Sequence, residues 1–164
     1  RRVPVRNGDV VPIAPGILHS LGQGVLAYEV QQNSDVTYRL DDFGLGIDSP
    51  EERQLHLRRA LDVIDLPANL APTPAFDNWC DREGQLDFAP HFRLAAVRVA
   101  AGRPRALPDE GRCRGLVVLD GEGTITGATG AQPLRKGQSW LLPAGDGPLV
   151  VEGDLRLLVS AFPE

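Results

Sequence analysis

Lysine, cysteine and histidine are scarce in this sequence, and their scarcity limits the chemistry that the chain can perform by itself. Its 164 residues include 2 cysteines and 3 histidines, and Lys136 is the single lysine. Cys80 and Cys113 lie far apart and outside any C-x-x-C pair, so free thiols of a cytoplasmic protein are favoured over a disulfide. Lysine-based catalysis within this chain therefore has one candidate.

Long apolar runs and an excess of positive charge are also missing. Because no run of about 18 apolar residues occurs, we expect no transmembrane helix, and no signal peptide is recognisable. The formal net charge of −5 argues against a broad nucleic-acid-binding face. The sequence does not open on Met, and its first four residues are typical of the middle of a domain. We therefore expect the natural N-terminus to lie upstream.

Glycine and proline, in contrast, are abundant. The 18 glycines and 14 prolines separate short apolar stretches, a pattern typical of many short strands joined by tight turns. The apolar stretches predict strands at residues 10–14, 25–31, 36–40, 92–99, 115–119, 123–127, 139–142, 149–151 and 155–161. The chain is therefore predicted to be mainly β, with a sandwich or barrel architecture.

One α-helix is predicted between the two strand-rich parts of the chain. Ser49 fits an N-cap, Pro50 fits the first helical position, and Glu52 completes a capping box. Leu57 and Leu61 continue the segment at helical spacing, and the helix is predicted to end near residue 65. Residues 66–75 contain three prolines and are predicted to form a linker.

Residues 8–19 and 137–148 repeat one pattern. In each copy a glycine opens a strand, a turn with proline and a second glycine closes it, and the next strand follows. Such a repeat argues for two related barrels, and its spacing resembles the second conserved motif of cupins, G-x5-P-x-G-x2-H. His19 in the first copy corresponds to Pro148 in the second. Because a proline side chain cannot ligate a metal, we expect no metal at this position of the second barrel.

Four side chains are candidates for a functional site. His19 follows a turn, where a ring nitrogen can point at a metal in the barrel mouth or simply make ordinary hydrogen bonds. Glu29 and Gln31 share one face of a predicted strand, which either faces solvent or lines a wet cavity. Arg39 offers forked donors to an oxyanion or phosphate, or forms a surface salt bridge with one of the aspartates that follow it.

Three strings, in order, resemble type I-like mannose-6-phosphate isomerases of the short bacterial kind. Val10 to His19, Gly24 to Arg39 and Arg53 to Ile64 are similar to that family's "PAGTxHAL", "YEIQQNSDTTYRLYD" and "RELHLxKALDVI". The resemblance implies a cupin-type bicupin with one intervening α-helix, of which this chain is the C-terminal part. Residues 1–48 would end the metal-binding cupin, residues 49–75 would form the helix and linker, and residues 76–164 would form a second, metal-free cupin.

The resemblance also implies an activity. Such an enzyme interconverts mannose 6-phosphate and fructose 6-phosphate through an enediol at a zinc site. His19 would be a zinc ligand, Arg39 would lie over the sugar phosphate, and Glu29 and Gln31 would line the site. The other ligands and the base are expected in the missing N-terminal half of the same protein. His56 is expected to pack or cap. Because residues 41–45 depart from the family's "YDxxR", a non-catalytic sugar-binding or structural cupin is the alternative.

Overall fold

The computed structural model of this chain describes residues 2–34, 36–41, 43, 55–70, 77–78, 83–86 and 91–162. The chain divides into two compact units. The first, called here the sheet unit, consists of Arg1–Val10, Val30–Gln32 and Asp77–Glu164. The second, called here the helical unit, consists of Val11–Glu29 and Asn33–Phe76. Each unit has its own secondary structure and is described by itself.

The sheet unit is built entirely from antiparallel strand pairs. Two very short strands pair with each other, and seven further strands form one sheet. The strands are β1 (Asp9–Val10), β2 (Asp77–Asn78), β3 (Gly84–Leu86), β4 (Arg93–Val99), β5 (Arg105–Leu107), β6 (Arg114–Gly127), β7 (Gly130–Arg135), β8 (Ser139–Leu142) and β9 (Leu149–Ala161). The strand-rich character predicted from the sequence is therefore confirmed.

Two long strands, β6 and β9, form the centre of the large sheet. They pair with each other along most of their length, with a register shift between Val118 and Asp120. Strand β9 also pairs with β4 and β5, and strand β6 also pairs with β7 and β8. Four short strands thus flank the central pair, two on each side, so the sheet has two halves that share the same two long strands.

One hydrophobic core is shared by both halves of this sheet. Its buried side chains come from six strands, and Trp140 packs against them. They are Val99, Leu107, Leu116, Val118, Ile125, Leu134, Leu142, Leu149, Val151, Leu155 and Leu157. Because a flat sheet could not bring side chains from β5, β7 and β8 into one cluster, the sheet curls around its own core, as a small barrel does. Each buried Leu or Val contributes about 1.5–3 kcal/mol of transfer free energy.

The two long strands approach each other most closely where three glycines meet. Gly123 lies opposite Gly153, and Gly121 lies opposite Leu155. A Cβ atom added at Gly123 would overlap the carbonyl oxygen of Glu152. Glycine is therefore required here by the close approach of two backbones, and it lies just beyond the register shift, where a strand bends most easily.

The strands predicted in the C-terminal half agree with observed ones, with two differences: β2, β3, β5 and β7 were not predicted, and two pairs of predicted strands are single strands. The strands predicted at residues 92–99 and 139–142 correspond to β4 and β8. The pairs predicted at 115–119 and 123–127, and at 149–151 and 155–161, are parts of the single strands β6 and β9. Glycine and aspartate at residues 120–123 and 152–154 had marked turns in the prediction, but here they lie at a bend inside two continuous strands.

The strands predicted in the N-terminal part are mostly wrong. Among the described residues between 11 and 43, none is in a strand, so the predicted strands at 25–31 and 36–40 are not formed. Of the strand predicted at 10–14, Val10 alone is paired, in β1. A segment with alternating side chains forms a strand only where the backbone of a neighbouring strand pairs with it. Leu26 is 99% exposed, and no such neighbour is present among the described residues.

The helical unit contains two short helices, α1 (Leu57–Val63) and α2 (Leu66–Leu70). The predicted helix is confirmed from Leu57 onwards as α1, and residues 55–56, which the prediction placed inside it, are not helical. Its predicted start at residues 49–54 lies outside the described residues. The predicted linker is partly wrong as well, since its first five residues form α2. The Asp65 carboxylate accepts a hydrogen bond from the Ala68 N–H at 2.9 Å, as an N-cap does. Pro67 lies in the first turn, where its missing N–H costs little.

The packing of α1 also differs from the prediction. Leu57 and Leu61, predicted as its apolar face, are 56% and 69% exposed, whereas Ala60 is buried at 3%. The predicted first cupin and the three domain bounds stay predictions, and the bicupin arrangement is not confirmed. The turn geometry of the sequence repeat is nevertheless shared, because glycines 8 and 16 have positive φ, as have the corresponding glycines 137 and 145.

Candidate functional site

The loop that ends at His19 is held by side-chain and backbone contacts of the helical unit. Its turn starts at Ala14, whose carbonyl oxygen accepts a hydrogen bond from the Ile17 N–H at 3.2 Å. The His19 side chain is exposed, and its Nδ1 lies 2.9 Å from the Ile17 carbonyl oxygen. Because a carbonyl oxygen can only accept, Nδ1 carries the proton in this contact, and in the neutral ring Nε2 keeps its lone pair.

Asn69 of helix α2 binds both sides of this turn. Its amide nitrogen donates to the Gly16 carbonyl oxygen at 2.8 Å, and its amide oxygen accepts from the Leu18 N–H at 2.8 Å. The same amide nitrogen donates to the Asp65 carbonyl oxygen at 2.7 Å. The Asp65 N–H in turn donates to the Gly16 carbonyl oxygen at 3.1 Å. The residues before His19 are therefore fixed to the start of α2.

Arg39 is fixed to the start of helix α1 through its backbone. The His56 N–H donates to the Arg39 carbonyl oxygen at 2.8 Å, and the Arg39 N–H donates to His56 Nδ1 at 3.3 Å. The rings of His56 and Tyr38 meet edge to face, with centroids 6.1 Å apart. His56 is therefore a packing residue, as predicted, and although it occupies the N-cap position of α1, its side chain makes no capping hydrogen bond. Since its Nδ1 accepts a hydrogen bond, the proton of the neutral ring is on Nε2.

The guanidinium group of Arg39 has no carboxylate partner among the described residues. Arg39 is half-buried, and within the described residues its side chain forms no ion pair. Of the two aspartates considered as salt-bridge partners, Asp41 instead accepts a hydrogen bond from the Phe43 N–H at 2.8 Å. Asp42 lies outside the described residues. A surface depression of about 400 Å³, lined by residues 55–59, lies at His56, which holds the Arg39 backbone.

The four predicted site residues are divided between the two units. Glu29 is exposed and belongs to the helical unit, whereas Gln31 belongs to the sheet unit. The strand face that they were predicted to share is not formed. No hydrogen bond or ion pair joins His19, Glu29 and Arg39 in the part of the chain that the structure describes. Their roles in a site stay predictions.

Metal-ligating side chains are not grouped in the described part of the chain. No set of three His, Cys, Asp or Glu side chains there could hold a metal ion. Cys113 is a free thiol, as predicted, and Cys80 lies outside the described residues. His19 is thus a single candidate ligand, and the described residues do not complete a zinc site around it, because zinc takes three or four protein ligands.

Two carboxyl groups of the sheet unit with lowered pKa values, those of Asp109 and Asp120, lie far from His19 and Arg39 in sequence. Arg114 is buried at 3% and donates to the Pro108 carbonyl oxygen at 2.6 Å. A hydrogen bond from the Gly111 N–H, with a further contribution from Arg114, lowers the pKa of Asp109 from 3.8. The second group is the carboxylate of Asp120, which contacts the single lysine of the chain.

Lys136 takes part in this exposed ion pair. Its Nζ donates to the Asp120 carboxylate at 2.9 Å, and this hydrogen bond lowers the pKa of Asp120 from 3.8. Arg156 lies 3.6 Å from the other carboxylate oxygen. The single candidate for lysine chemistry is therefore engaged on the surface of the sheet unit, where such pairs contribute little to stability.

Comparison with known proteins identifies the relatives of the chain. Residues 90–162 match the family model described as "Mannose-6-phosphate isomerase, cupin domain". The mannose-6-phosphate isomerase of Streptococcus mutans is 30% identical over 97% of this chain and 50% of its own length. Mannose-6-phosphate isomerase ManA of Bacillus subtilis is 31% identical over 98% of this chain and 51% of its own length. The chain spans about half the length of these relatives.

Solved structures show weaker similarity. A cupin protein from Bacteroides fragilis has a TM-score of 0.47 at 15% identity, covering 54% of this chain and 82% of its own. A sugar phosphate isomerase of the cupin superfamily from Silicibacter pomeroyi has a TM-score of 0.39 at 23% identity, covering 45% of this chain and 52% of its own. Similarity at this level does not bear on activity.

The match to the cupin-domain model falls on the sheet unit. No helix among the described residues is long and apolar enough to cross a membrane. The matched residues 90–162 contain strands β4 to β9 and therefore the whole hydrophobic core of the sheet. The chain is similar to mannose-6-phosphate isomerases over nearly its whole length, and residues 90–162 match the model of their cupin domain.

Proposed function

We propose that this chain is the C-terminal part of an enzyme that interconverts mannose 6-phosphate and fructose 6-phosphate. The observation that carries the proposal is the 30–31% identity to mannose-6-phosphate isomerases over 97–98% of this chain. Because the chain spans about half of those relatives, the complete enzyme would include an N-terminal half that supplies further metal ligands and the base. A cytoplasmic location fits a sugar phosphate substrate.

His19 is proposed as one ligand of a zinc ion. Metal-ligating histidines commonly donate one ring N–H to a backbone carbonyl and bind the metal through the other nitrogen. The contact from His19 Nδ1 to the Ile17 carbonyl oxygen leaves Nε2 free in this way. When bound, zinc would supply a Lewis acid for the sugar oxygens. The described residues fit one ligand of such a site and not its remainder.

Arg39 is proposed to stabilise the charge that develops on the substrate. In an aldose–ketose isomerisation a base removes the proton from C2 and returns it to C1, and an enediol lies between the two states. Negative charge grows on the sugar oxygens during this transfer, and an arginine offers them two parallel donors. The backbone bonds to His56 hold Arg39 in place while its guanidinium stays free of ion pairs within the described residues. Glu29 and Gln31 are proposed to line the site.

The complete enzyme, including the N-terminal half, tests the proposal. We expect turnover of mannose 6-phosphate in a coupled assay, about one zinc per chain by elemental analysis, and loss of turnover with a chelator. His19→Ala should lower the zinc content, whereas Arg39→Ala should leave zinc bound and lower kcat by about two orders of magnitude. Lys136→Ala, which changes an exposed ion pair of the sheet unit, is the control and should keep the wild-type rate.

Three results would contradict this proposal or part of it. Turnover that resists the chelator, with no zinc in the protein, would contradict the role of His19. Binding of sugar phosphate without any turnover, by calorimetry, would identify the protein as a non-catalytic sugar-binding cupin. A near-normal kcat of Arg39→Ala would remove that residue from the site.

A further inference from the structure

We propose that Asn69 is a positioning residue that holds His19 in the tautomer with Nε2 free for a metal. The inference rests on the proposed role of His19 as a ligand, but it can be tested independently of that role. The Asn69 amide forms hydrogen bonds with Gly16 and Leu18, the residues on either side of Ile17. Ile17 provides the carbonyl oxygen that the His19 ring contacts.

The Asn69 amide matches the turn because it has a donor and an acceptor side by side. Its nitrogen has two hydrogens, and these reach the carbonyl oxygens of Gly16 and Asp65. Its oxygen faces the Leu18 N–H. An aspartate here would keep the acceptor and set a carboxylate against two carbonyl oxygens, and an alanine would lose all three contacts. Asparagine is therefore the residue type that this arrangement requires.

The position of the Ile17 carbonyl follows from these contacts. The peptide that carries it lies between two anchored residues, Gly16 and Leu18, and its own residue donates to Ala14 at 3.2 Å. With both flanks fixed, the carbonyl has little freedom to turn away from the His19 ring. The fixed carbonyl thereby maintains the hydrogen bond from His19 Nδ1. Without this bond, the exposed ring would exchange between its two tautomers in solvent.

Nitrogen-15 NMR of the histidine rings in the complete enzyme gives a direct readout. Single His→Gln variants at the three histidines of this chain assign their rings. Spectra are recorded at about pH 8, above the reference histidine pKa of about 6.5, so that neutral rings are observed. We expect the proton of His19 on Nδ1 and that of His56 on Nε2, because His56 Nδ1 accepts a hydrogen bond from the Arg39 N–H. The second ring serves as an internal reference.

Variants of helix α2 separate positioning from general stability. Asn69→Ala and Asn69→Asp should both shift His19 towards the Nε2–H tautomer and leave His56 unchanged. Ala68→Gly is the matched control: it weakens the same helix by about 1 kcal/mol but keeps the Asn69 amide. A shift of the His19 tautomer in Ala68→Gly as large as that in Asn69→Ala would overturn the proposal. So would a wild-type His19 with its proton on Nε2, or an unchanged His19 ring in both Asn69 variants.

Zinc affinity of the complete enzyme, measured by chelator competition, tests the link to the metal. Loss of a residue that orients a ligand typically weakens metal binding by about 10–100-fold, so we expect this loss in Asn69→Ala and none in Ala68→Gly. If His19→Ala binds zinc as the wild type does, the proposed ligand role of His19 fails, whatever the NMR shows. If His19→Ala loses zinc but Asn69→Ala binds it normally, the positioning role of Asn69 is wrong and the ligand role of His19 stands.

Discussion

Substitution of Gly16 by alanine tests the packing of the His19 loop in quantitative terms. Gly16 has φ +82°, and a Cβ atom there would lie 2.9 Å from the Val63 carbonyl oxygen and 3.0 Å from the Asp65 nitrogen. The neighbours that it would meet are mostly backbone atoms, which cannot rotate away as a long side chain can. The variant should therefore push the turn away from Asp65 and break the hydrogen bond from the Asp65 N–H to Gly16.

Two other glycines of the same unit allow the cost of backbone strain to be measured separately from the cost of the clash. Gly24 has φ +81° with nothing within 4 Å of an added Cβ, so Gly24→Ala introduces backbone strain without a clash. Gly22 has no positive φ and equally open surroundings, so Gly22→Ala introduces neither. A left-handed alanine costs about 1–2 kcal/mol, and one lost hydrogen bond costs about 0.5–1.5 kcal/mol. The expected order of destabilisation is Gly16, then Gly24, then Gly22.

Native-state hydrogen exchange of the Asp65 amide is the appropriate assay, because this N–H is the donor that Gly16→Ala should release. The combined cost of about 1.5–3.5 kcal/mol corresponds to exchange that is about ten to a few hundred times faster than in wild type. Gly24→Ala and Gly22→Ala should leave that amide close to its wild-type rate, since neither contacts it. Equal protection of Asp65 in Gly16→Ala and Gly24→Ala would refute the close contact between the turn and the helices.

Three further predictions concern the sheet unit. Leu157→Ala, at a side chain 1% exposed in the core, should lower the free energy of unfolding by about 2–5 kcal/mol in urea titrations; a loss below 1 kcal/mol would contradict a shared core. Lys136→Ala should change that free energy by less than about 1 kcal/mol, and a larger loss would contradict a solvent-screened ion pair. The hydrogen bond from the Gly111 N–H lowers the pKa of Asp109 in the folded state. The ionised Asp109 carboxylate therefore stabilises the fold at pH values above its unfolded-state pKa, and this stabilisation is lost as the pH falls through its folded-state pKa. The difference in unfolding free energy between wild type and Asp109→Asn should therefore shrink as pH falls below about 4. A difference that grows in acid would contradict a stabilising role of the ionised carboxylate.

The sequence predicted the sheet unit well because its signals are local. Strands such as β4 and β9 alternate buried and exposed residues, and the period of two is visible without any knowledge of the partner strand. What the sequence could not show is continuity. Gly121 and Gly153 are turn residues by composition, and only the pairing of β6 with β9 reveals that the chain continues through them as one strand.

The helical unit was predicted less well because its structure depends on contacts that no local pattern contains. The alternation from residue 25 to residue 31 is a good strand signal, yet no strand of the described chain pairs with it. The capping signal at Ser49 lies outside the described residues and stays a prediction. At residues 25–31 the local preference is too weak to form a strand when its partner is absent, because strand formation relies on tertiary packing.

At the candidate site, too, the sequence indicated which residue types could act but not which contacts hold them in place. Sequence motifs pointed to His19 and Arg39 as residues able to bind a metal and an oxyanion, but nothing in the motifs identified what holds them. The partner of Arg39 is His56, 17 residues further along, and the partner of the His19 loop is Asn69, more than 50 residues from Gly16. His56 had been assigned to packing and Asn69 to a linker.

A planar amide in a proline-rich segment gives no sequence signal of its own, because its value lies in offering one donor and one acceptor to a turn that is distant in sequence. Second-layer residues of this kind determine the geometry of a ligand, and they become visible only when the turn and the helix are seen together.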